Sequence, residues 1–243
     1  MLDRAVTSPV NWVLDNLVPP FLRDRAFFMM PLFWLLFGRR AREFARFKEV
    51  APFLSKAEFV AWYARLADGH IQRESDLTER VAGEVLAAVA GESVLDVGFG
   101  RGYLARRLAE RVRGRVLGAD LHVPSDRGGD AVFLRADGEA LPFPDRSFDT
   151  VTCCHVLEHV QDASATVREL RRVARRRLVV VVPRQREYAY TFDLHIRFFP
   201  YASSVQQLMK RPDARCEVVQ NDFVYVEDLQ GDDASVPAVS RWG

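Results

Sequence analysis

The stretch VLDVGFGRGYL (94–104) runs from a short apolar strand into three glycines, at 98, 100 and 102, and a helix begins at once. Glycine lets the backbone turn sharply and approach a ligand with no Cβ in the way. A glycine-rich turn between strand and helix is by itself a weak sign of nucleotide binding, so the spacing has to be weighed. A dinucleotide turn, G-x-G-x-x-G, would need glycine at 103, where Tyr103 stands. The pattern is instead G-x-G-x-G, with Asp96 two residues before Gly98 and Phe99 between the first two glycines. A second acid, Asp120, ends the next strand and is followed by Leu121. There a carboxylate can accept both hydrogen bonds of a ribose diol. A third, Asp137, ends the following strand beside Gly138 and suits an exocyclic adenine amine.

Working outward, strands and helices alternate. SVLDV (93–97), RVLGAD (115–120), AVFLRAD (131–137), FDTVTCCHV (148–156) and RLVVVVP (177–183) read as strands, the last a buried central one. Helices are expected over 101–112 and 163–175. CEVVQ (216–220) and FVYVEDL (223–229) flank Asn221 and Asp222, which read as a hairpin turn. Repeated βαβ units predict an α/β, Rossmann-like, doubly wound sheet of seven mostly parallel strands, closed by an antiparallel C-terminal hairpin. Before residue 90 the pattern is helical. It includes a helix over 56–67 and another over 77–89, with Asp76 as N-cap and Gly91 as its stop. The expected organisation is a helical cap over 1–90 and an α/β core, carrying the glycine turn, over 91–243.

Composition removes several classes. The chain has 243 residues, 49% apolar and 28% charged, with net charge +1, so it buries a core and lacks the basic footprint of a nucleic-acid binder. Arginine outnumbers lysine 31 to 3 beside 27 alanines, which fits codon bias and makes each arginine's position more informative than the total. Three cysteines, two of them adjacent in an apolar run, suit a reducing compartment. With no apolar stretch at the start of the chain, a cytoplasmic location is expected. AFFMMPLFWLLF (26–37) has twelve residues where a spanning helix needs about twenty. Arg39, Arg40, Arg42, Arg46 and Lys48 follow it. Two readings of 26–48 stand: a core-packed helix with a solvated basic end, or weak peripheral contact with a membrane or lipid.

These residues resemble the class I S-adenosylmethionine-dependent methyltransferases, in the broad small-molecule group related to quinone-biosynthesis enzymes. Asp96, Gly98, Gly100 and Gly102 match the family's first motif, Asp120 its ribose acid and Asp137 its adenine acid. ALPFPDRSFDTVTCCHVLEHV (140–160) is similar to the approach to the fourth strand and its end. This places His155 beside the methionine moiety and the sulfonium. ATVRELRRVARRRLVVVVP (165–183) resembles the helix and strand that follow, except that Arg175, Arg176 and Arg177 replace the usual Pro-Gly-Gly turn. The resemblance implies S-adenosylmethionine as cofactor, S-adenosylhomocysteine as product and a small-molecule acceptor: a metabolite, natural product or lipid-like compound. The chemistry agrees, since no phosphate-clamping lysine stands near the turn and three carboxylates suit an adenosine and a cationic sulfonium. The alternatives are a same-fold enzyme using the cofactor for a non-methylating reaction, and a catalytically silent cofactor-binding subunit. A nucleic-acid methyltransferase is disfavoured by the net charge and by the absence of an Asn- or Asp-Pro-Pro-aromatic motif after the fourth strand.

Methyl transfer needs alignment, exclusion of water and, for some acceptors, removal of a proton. His122, His155, His159 and His195 are the histidines expected at the strand ends. His195, in the aromatic loop EYAYTFDLHIRFFPYASS (187–204), and His155 are the catalytic candidates. Tyr188, Tyr190, Phe192, Phe198 and Phe199 read either as an acceptor-pocket lining or as a cover for the sheet edge. His155, Glu158 and His159 form H-x-x-E-H at an expected helix start. Some quinone-pathway relatives hold a divalent metal in an acid-rich version of this stretch. Here the first position is histidine, and no metal site is assigned. Tyr63, Arg73 and Asp76 are polar groups close enough upstream to reach the pocket.

Overall fold

The computed structural model describes residues 13–14, 17–67, 74–123 and 131–229. The N-terminal part contains α1 (Pro20–Arg23), α2 (Ala26–Phe37), α3 (Ala41–Val50), α4 (Lys56–Ala67) and α5 (Glu79–Ala88). Then follow β1 (Val94–Val97), α6 (Tyr103–Arg111), β2 (Val116–Asp120), β3 (Val132–Arg135) and β4 (Phe148–Cys154). The chain continues with α7 (Ala163–Val173), β5 (Ala174–Pro183), α8 (Ala202–Met209), β6 (Arg215–Val219) and β7 (Asp222–Asp228). The strands form one seven-stranded sheet in the order β3-β2-β1-β4-β5-β7-β6. Strands β1 to β5 pair in parallel, whereas β7 pairs antiparallel with both β5 and β6. The expected fold class is therefore the observed one.

Register follows from burial. Val94, Leu95, Val97, Val151 and Val179 to Val182 are buried, as strands covered on both faces must be. Asp96 lies level with Gly118 on β2 and Thr152 on β4. The sequential order of the strands reverses between β1 and β4, and the crevice at their carboxyl ends is where this topology binds ligands.

The segment expected as a cap divides by its packing. Helix α5 lays Val81, Ala82 and Val85 on the sheet beside Val94, Val179 and Val224. Helices α2 to α4 build a separate cluster from Met29, Phe33, Phe44, Phe47 and Phe59, completed by Phe192 and Leu194 of the loop after β5. Phe33 meets Phe192 and Tyr190 ring to ring. Of the loop's other aromatics, Phe199 lies in the sheet core and Tyr188 lies under the buried guanidinium of Arg23, 3.6 Å from it. Phe199 alone of these aromatics lies in the sheet core, Tyr190 and Phe192 join the helical cluster, and none of the five lines the cleft at the carboxyl ends of the strands.

Local expectations shift at several points. The N-cap of α5 is Thr78, whose hydroxyl accepts from the Val81 N–H, not Asp76. The helix ends at Ala88, and Gly91 serves the next turn instead. With φ +80°, Gly91 passes so close over Asp149 that a Cβ there would collide with its side chain. The hairpin turns at Gln220 and Asn221, since Asp222 already pairs with Val219. Helix α7 stops at Val173, and the chain is extended from Ala174 because the arginine run has strand partners. Arg175 and Arg176 reach Asp149 at 2.5 and 3.1 Å, and Arg177 reaches Asp228 at 2.7 Å. These side chains replace the missing turn.

Asp149 ties that run to the start of β1, accepting from the Glu92 and Ser93 N–H groups and the Ser93 hydroxyl. Burial pushes its carboxyl up. Arg175 and the Glu92 and Ser93 donors outweigh that and hold it at about 2, below its ordinary 3.8. A depressed carboxylate adds stability above its unfolded pKa and loses it as pH falls toward the folded one. Asp149→Asn is therefore expected to cost about 2 kcal/mol at pH 7. The deficit against the unmodified chain, followed by urea unfolding, should shrink as pH drops from 4 toward 2. A constant deficit across that range would contradict the assignment.

Candidate active site

The carboxyl ends of β1, β2 and β4 open into a cleft of about 310 Å³, with the segment after β3 and helix α4 as further walls. Gly98, at φ +75°, lets the chain leave β1, and a Cβ there would collide with Val156. Asp96, Gly98, Phe99 and Gly100 line the cleft on one side, and Asp120 and Leu121 follow. Asp137, Gly138 and His155 also face it. Gly102, at the N-terminus of α6, lies just outside the lining, and so does His195.

Each acid is held differently. Asp96 is buried, its Oδ1 accepting from Thr152 Oγ1 at 2.8 Å, while Oδ2 has no protein hydrogen-bond partner. Desolvation drives its pKa to about 7; Thr152 opposes the rise and Asp120 adds to it. Asp120 accepts from Gly100 N at 2.9 Å through Oδ2 and from His122 N at 3.0 Å through Oδ1. Its two oxygens are thus oriented, each with a lone pair left for a diol. Asp137 accepts from Glu139 N at 3.0 Å and pairs with Lys56 of α4 at 3.1 Å. Lys56 also meets Glu139 at 2.7 Å. An orphaned buried carboxylate oxygen, an oriented second carboxylate and a turn with glycine at 98 and 100 together fit an adenosyl group with a cationic amino-acid tail.

At the opposite wall, residues 155–160 form a turn and not the expected helix start; α7 begins only at Ala163. His155 has φ +55°, and its ring lies 3.3 Å from Glu158 and 3.5 Å from Asp222. Burial opposes its charge, but these two carboxylates hold its pKa well above the ordinary value. His159 lines the cleft, and its Nδ1 lies 2.9 Å from the Leu194 carbonyl. A carbonyl accepts only, so Nδ1 carries a hydrogen and donates to it. His195 stacks edge-on against His159, with ring centroids 4.7 Å apart, and its Nδ1 meets Gln185 Oε1 at 2.7 Å. Burial lowers its pKa to about 4, so the ring is neutral. Glu158, His159 and His195 have ligand atoms within 4.8 Å of one another, the group among the described residues able to hold a metal ion. It differs from the H-x-x-E-H set by exchanging His155 for His195, 37 positions beyond Glu158.

Tyr63 and Asp76 line the cleft as the sequence suggested, whereas Arg73 lies outside the described residues. Sequence reasoning missed Lys56 and Phe59, the other α4 side chains at the wall. One signal was available. In a chain with 3 lysines, two, Lys48 and Lys56, join the N-terminal helices to the sheet domain, Lys48 by donating to the Tyr188 carbonyl at 2.6 Å.

Residues 95–182 match the family described as a methyltransferase domain. A ubiquinone/menaquinone biosynthesis C-methyltransferase of Hahella chejuensis is 39% identical over 99 residues, 35% of this chain and 40% of that one. A demethylmenaquinone methyltransferase of Roseiflexus castenholzii is 36% identical over 136 residues, 49% of this chain and 57% of that one. The chain thus spans about half the length of the curated relatives it matches. Among solved structures, the 1,6-didemethyltoxoflavin-N1-methyltransferase of Burkholderia thailandensis, with 1,6-didemethyltoxoflavin and S-adenosylhomocysteine bound, gives a TM-score of 0.56 at 16% identity. That match covers 73% of this chain and 91% of that one. A SAM-dependent methyltransferase of Aquifex aeolicus gives 0.50 at 17% identity, covering 67% and 96%. At these identities the structures share the fold.

The raised pKa of Asp96 makes a measurable difference to cofactor affinity. A carboxyl titrating near 7 accepts a cationic partner in its ionised form, so affinity should rise with pH through that value. Calorimetric titration with S-adenosylhomocysteine should show about tenfold weaker binding at pH 6 than at pH 8. Asp96→Asn should bind weakly at both pH values, without that slope. A slope preserved in the Asn variant would assign the titration to another group.

Proposed function

We propose, starting from residues 95–182 as a class I S-adenosylmethionine-dependent methyltransferase domain, that this chain methylates a small molecule held between the cofactor cleft and helix α4. The observation that carries this reading is the shared cleft: the three acids and glycine turn on one side, Phe59, Tyr63 and His159 on the other. S-adenosylmethionine, when bound, supplies an electrophilic methyl whose bond to sulfur breaks as the acceptor bonds to it, the bonding pair passing to sulfur. The chain's residues align, enclose and deprotonate. Asp96 receives the cationic amino-acid end and Asp120 the ribose diol. Asp137 serves the adenine edge while pairing with Lys56, so cofactor binding and placement of α4 are coupled. The buried Phe59 and the half-buried Tyr63 keep water from the methyl path.

Three histidines divide the remaining work in this proposal. His159 Nε2 takes the acceptor's proton. His195, neutral and packed against that ring, is a positioning residue. His155, charged between Glu158 and Asp222, places a fixed imidazolium at the end of β4. The relatives' names point to quinol-type acceptors as the first compounds to try.

Methyl-labelled S-adenosylmethionine should pass label to a small organic product, with one S-adenosylhomocysteine formed per label. Tight cofactor binding with no transfer to any quinol, phenol or amine in a broad panel would favour the silent-subunit reading. His159→Gln should lower kcat by about 100-fold or more while S-adenosylhomocysteine affinity stays within about twofold. His195→Gln should lower kcat less and displace the acid limb of the pH–rate profile. If His159→Gln turns over normally, His159 is not the proton acceptor.

A further inference from the structure

Helix α2 has two apolar faces, and among the described residues only one is packed against the rest of the protein. Met29 and Phe33, four residues apart, are fully buried in the N-terminal cluster. Phe27, Pro31, Trp34 and Leu35 recur at the spacing of the other face. There Phe27 is 74% exposed, Trp34 45% and Leu35 80%, with Pro31 also exposed. Phe21, just before the helix, is 72% exposed. So much contiguous aromatic and aliphatic surface marks an interaction site.

The charges around this face indicate the partner. Arg25 precedes the helix, and Arg39, Arg40, Arg42 and Arg46 follow it, all five exposed. Two acids fall in the same stretch. Asp24 accepts from the Ala189 N–H and Glu43 pairs with Arg65, so both are engaged within the protein. The Arg42 guanidinium lies 5.7 Å from the Trp34 ring, over its face. Apolar rings with arginines at both ends of a short helix match a bilayer interface, where rings enter the acyl boundary and guanidinium groups meet lipid phosphates. Twelve residues give a helix of about 18 Å. No helix among the described residues is long and apolar enough to cross a membrane. A helix lying in the interface plane needs no such length.

We propose that the outward face of α2, with Arg25 and the 39–46 arginines, docks the protein on anionic lipid bilayers. The surface lies outside the residues of the methyltransferase-domain match, and the docking does not depend on which acceptor is methylated. The test is co-sedimentation of the full chain with phosphatidylcholine vesicles, with and without about one quarter phosphatidylglycerol. The protein should partition to the anionic vesicles, and binding should weaken as salt shortens the Debye length. Phe27→Ser with Leu35→Ser should lower the partition coefficient about tenfold or more. Arg39→Gln with Arg46→Gln should remove most of the preference for anionic lipid. Both variants change exposed side chains, so thermal unfolding and S-adenosylhomocysteine affinity should match the unmodified chain. Failure to sediment with either vesicle overturns the proposal. So does undiminished binding by the Phe27→Ser, Leu35→Ser variant. A dimer in solution that this variant dissociates, with no vesicle binding, would assign the face to a second copy and equally overturn it.

Discussion

A carboxylate with one unpaired oxygen, buried at the end of a parallel strand, sets the terms for the architecture around it. Asp96 can sit there because β4 supplies Thr152 at the same level, while Gly118 of β2, also level with it, leaves room for the Phe99 and Phe133 rings that a Cβ would strike. Desolvation of an acid is costly unless something compensates, and Thr152 compensates for one oxygen only. The other oxygen has no protein partner, which makes the site receptive to a cation, and burial raises the carboxyl's pKa. The switch in strand order between β1 and β4 locates this acid in an open crevice and not inside the sheet. Fold topology and local electrostatics therefore select the same place.

The second wall depends on long-range ties. Helix α4 reaches Asp137 and Glu139 through Lys56, and the short turn before α4 is held by Gln161, whose amide donates to the Ala51 and Leu54 carbonyls at 2.9 Å each. Phe192 and Leu194 complete the cluster formed by α2, α3 and α4. Leu194 also accepts from His159. The loop after β5 thus fixes the helical layer and the orientation of one histidine at the cleft together. A change in helix packing would be felt at that ring.

Some of this was legible because parallel strands buried on both faces are written as continuous apolar runs, as in Leu178 to Val182, and because the G-x-G-x-G spacing with its trailing acids is specific. Other parts depend on partners distant in sequence. The arginines at 175–177 read as a departure from the usual Pro-Gly-Gly turn, and only the fold brings Asp149 and Asp228 opposite them. H-x-x-E-H has helical spacing, yet His155 takes a left-handed conformation because its ring is held between Glu158 and Asp222, the latter 67 positions away. Asp76 and Thr78 are both competent caps, and only the observed hydroxyl contact with Val81 decides between them. The outward face of α2 was written in the sequence, but its exposure was not. A helix hydrophobic on all sides reads as fully buried until packing shows which side is covered.

The three histidines near the end of β4 show how one residue type acquires different states within a few ångströms. His155 has acids on two sides and is charged despite burial. His195 has an amide oxygen and another imidazole as neighbours, so burial dominates and the ring stays neutral. His159 lies between these environments, fixed by a backbone carbonyl and flanked by the edges of Tyr63 and His195. The rings thus differ by their neighbours: two acids for His155, an amide and an imidazole for His195, a backbone carbonyl for His159.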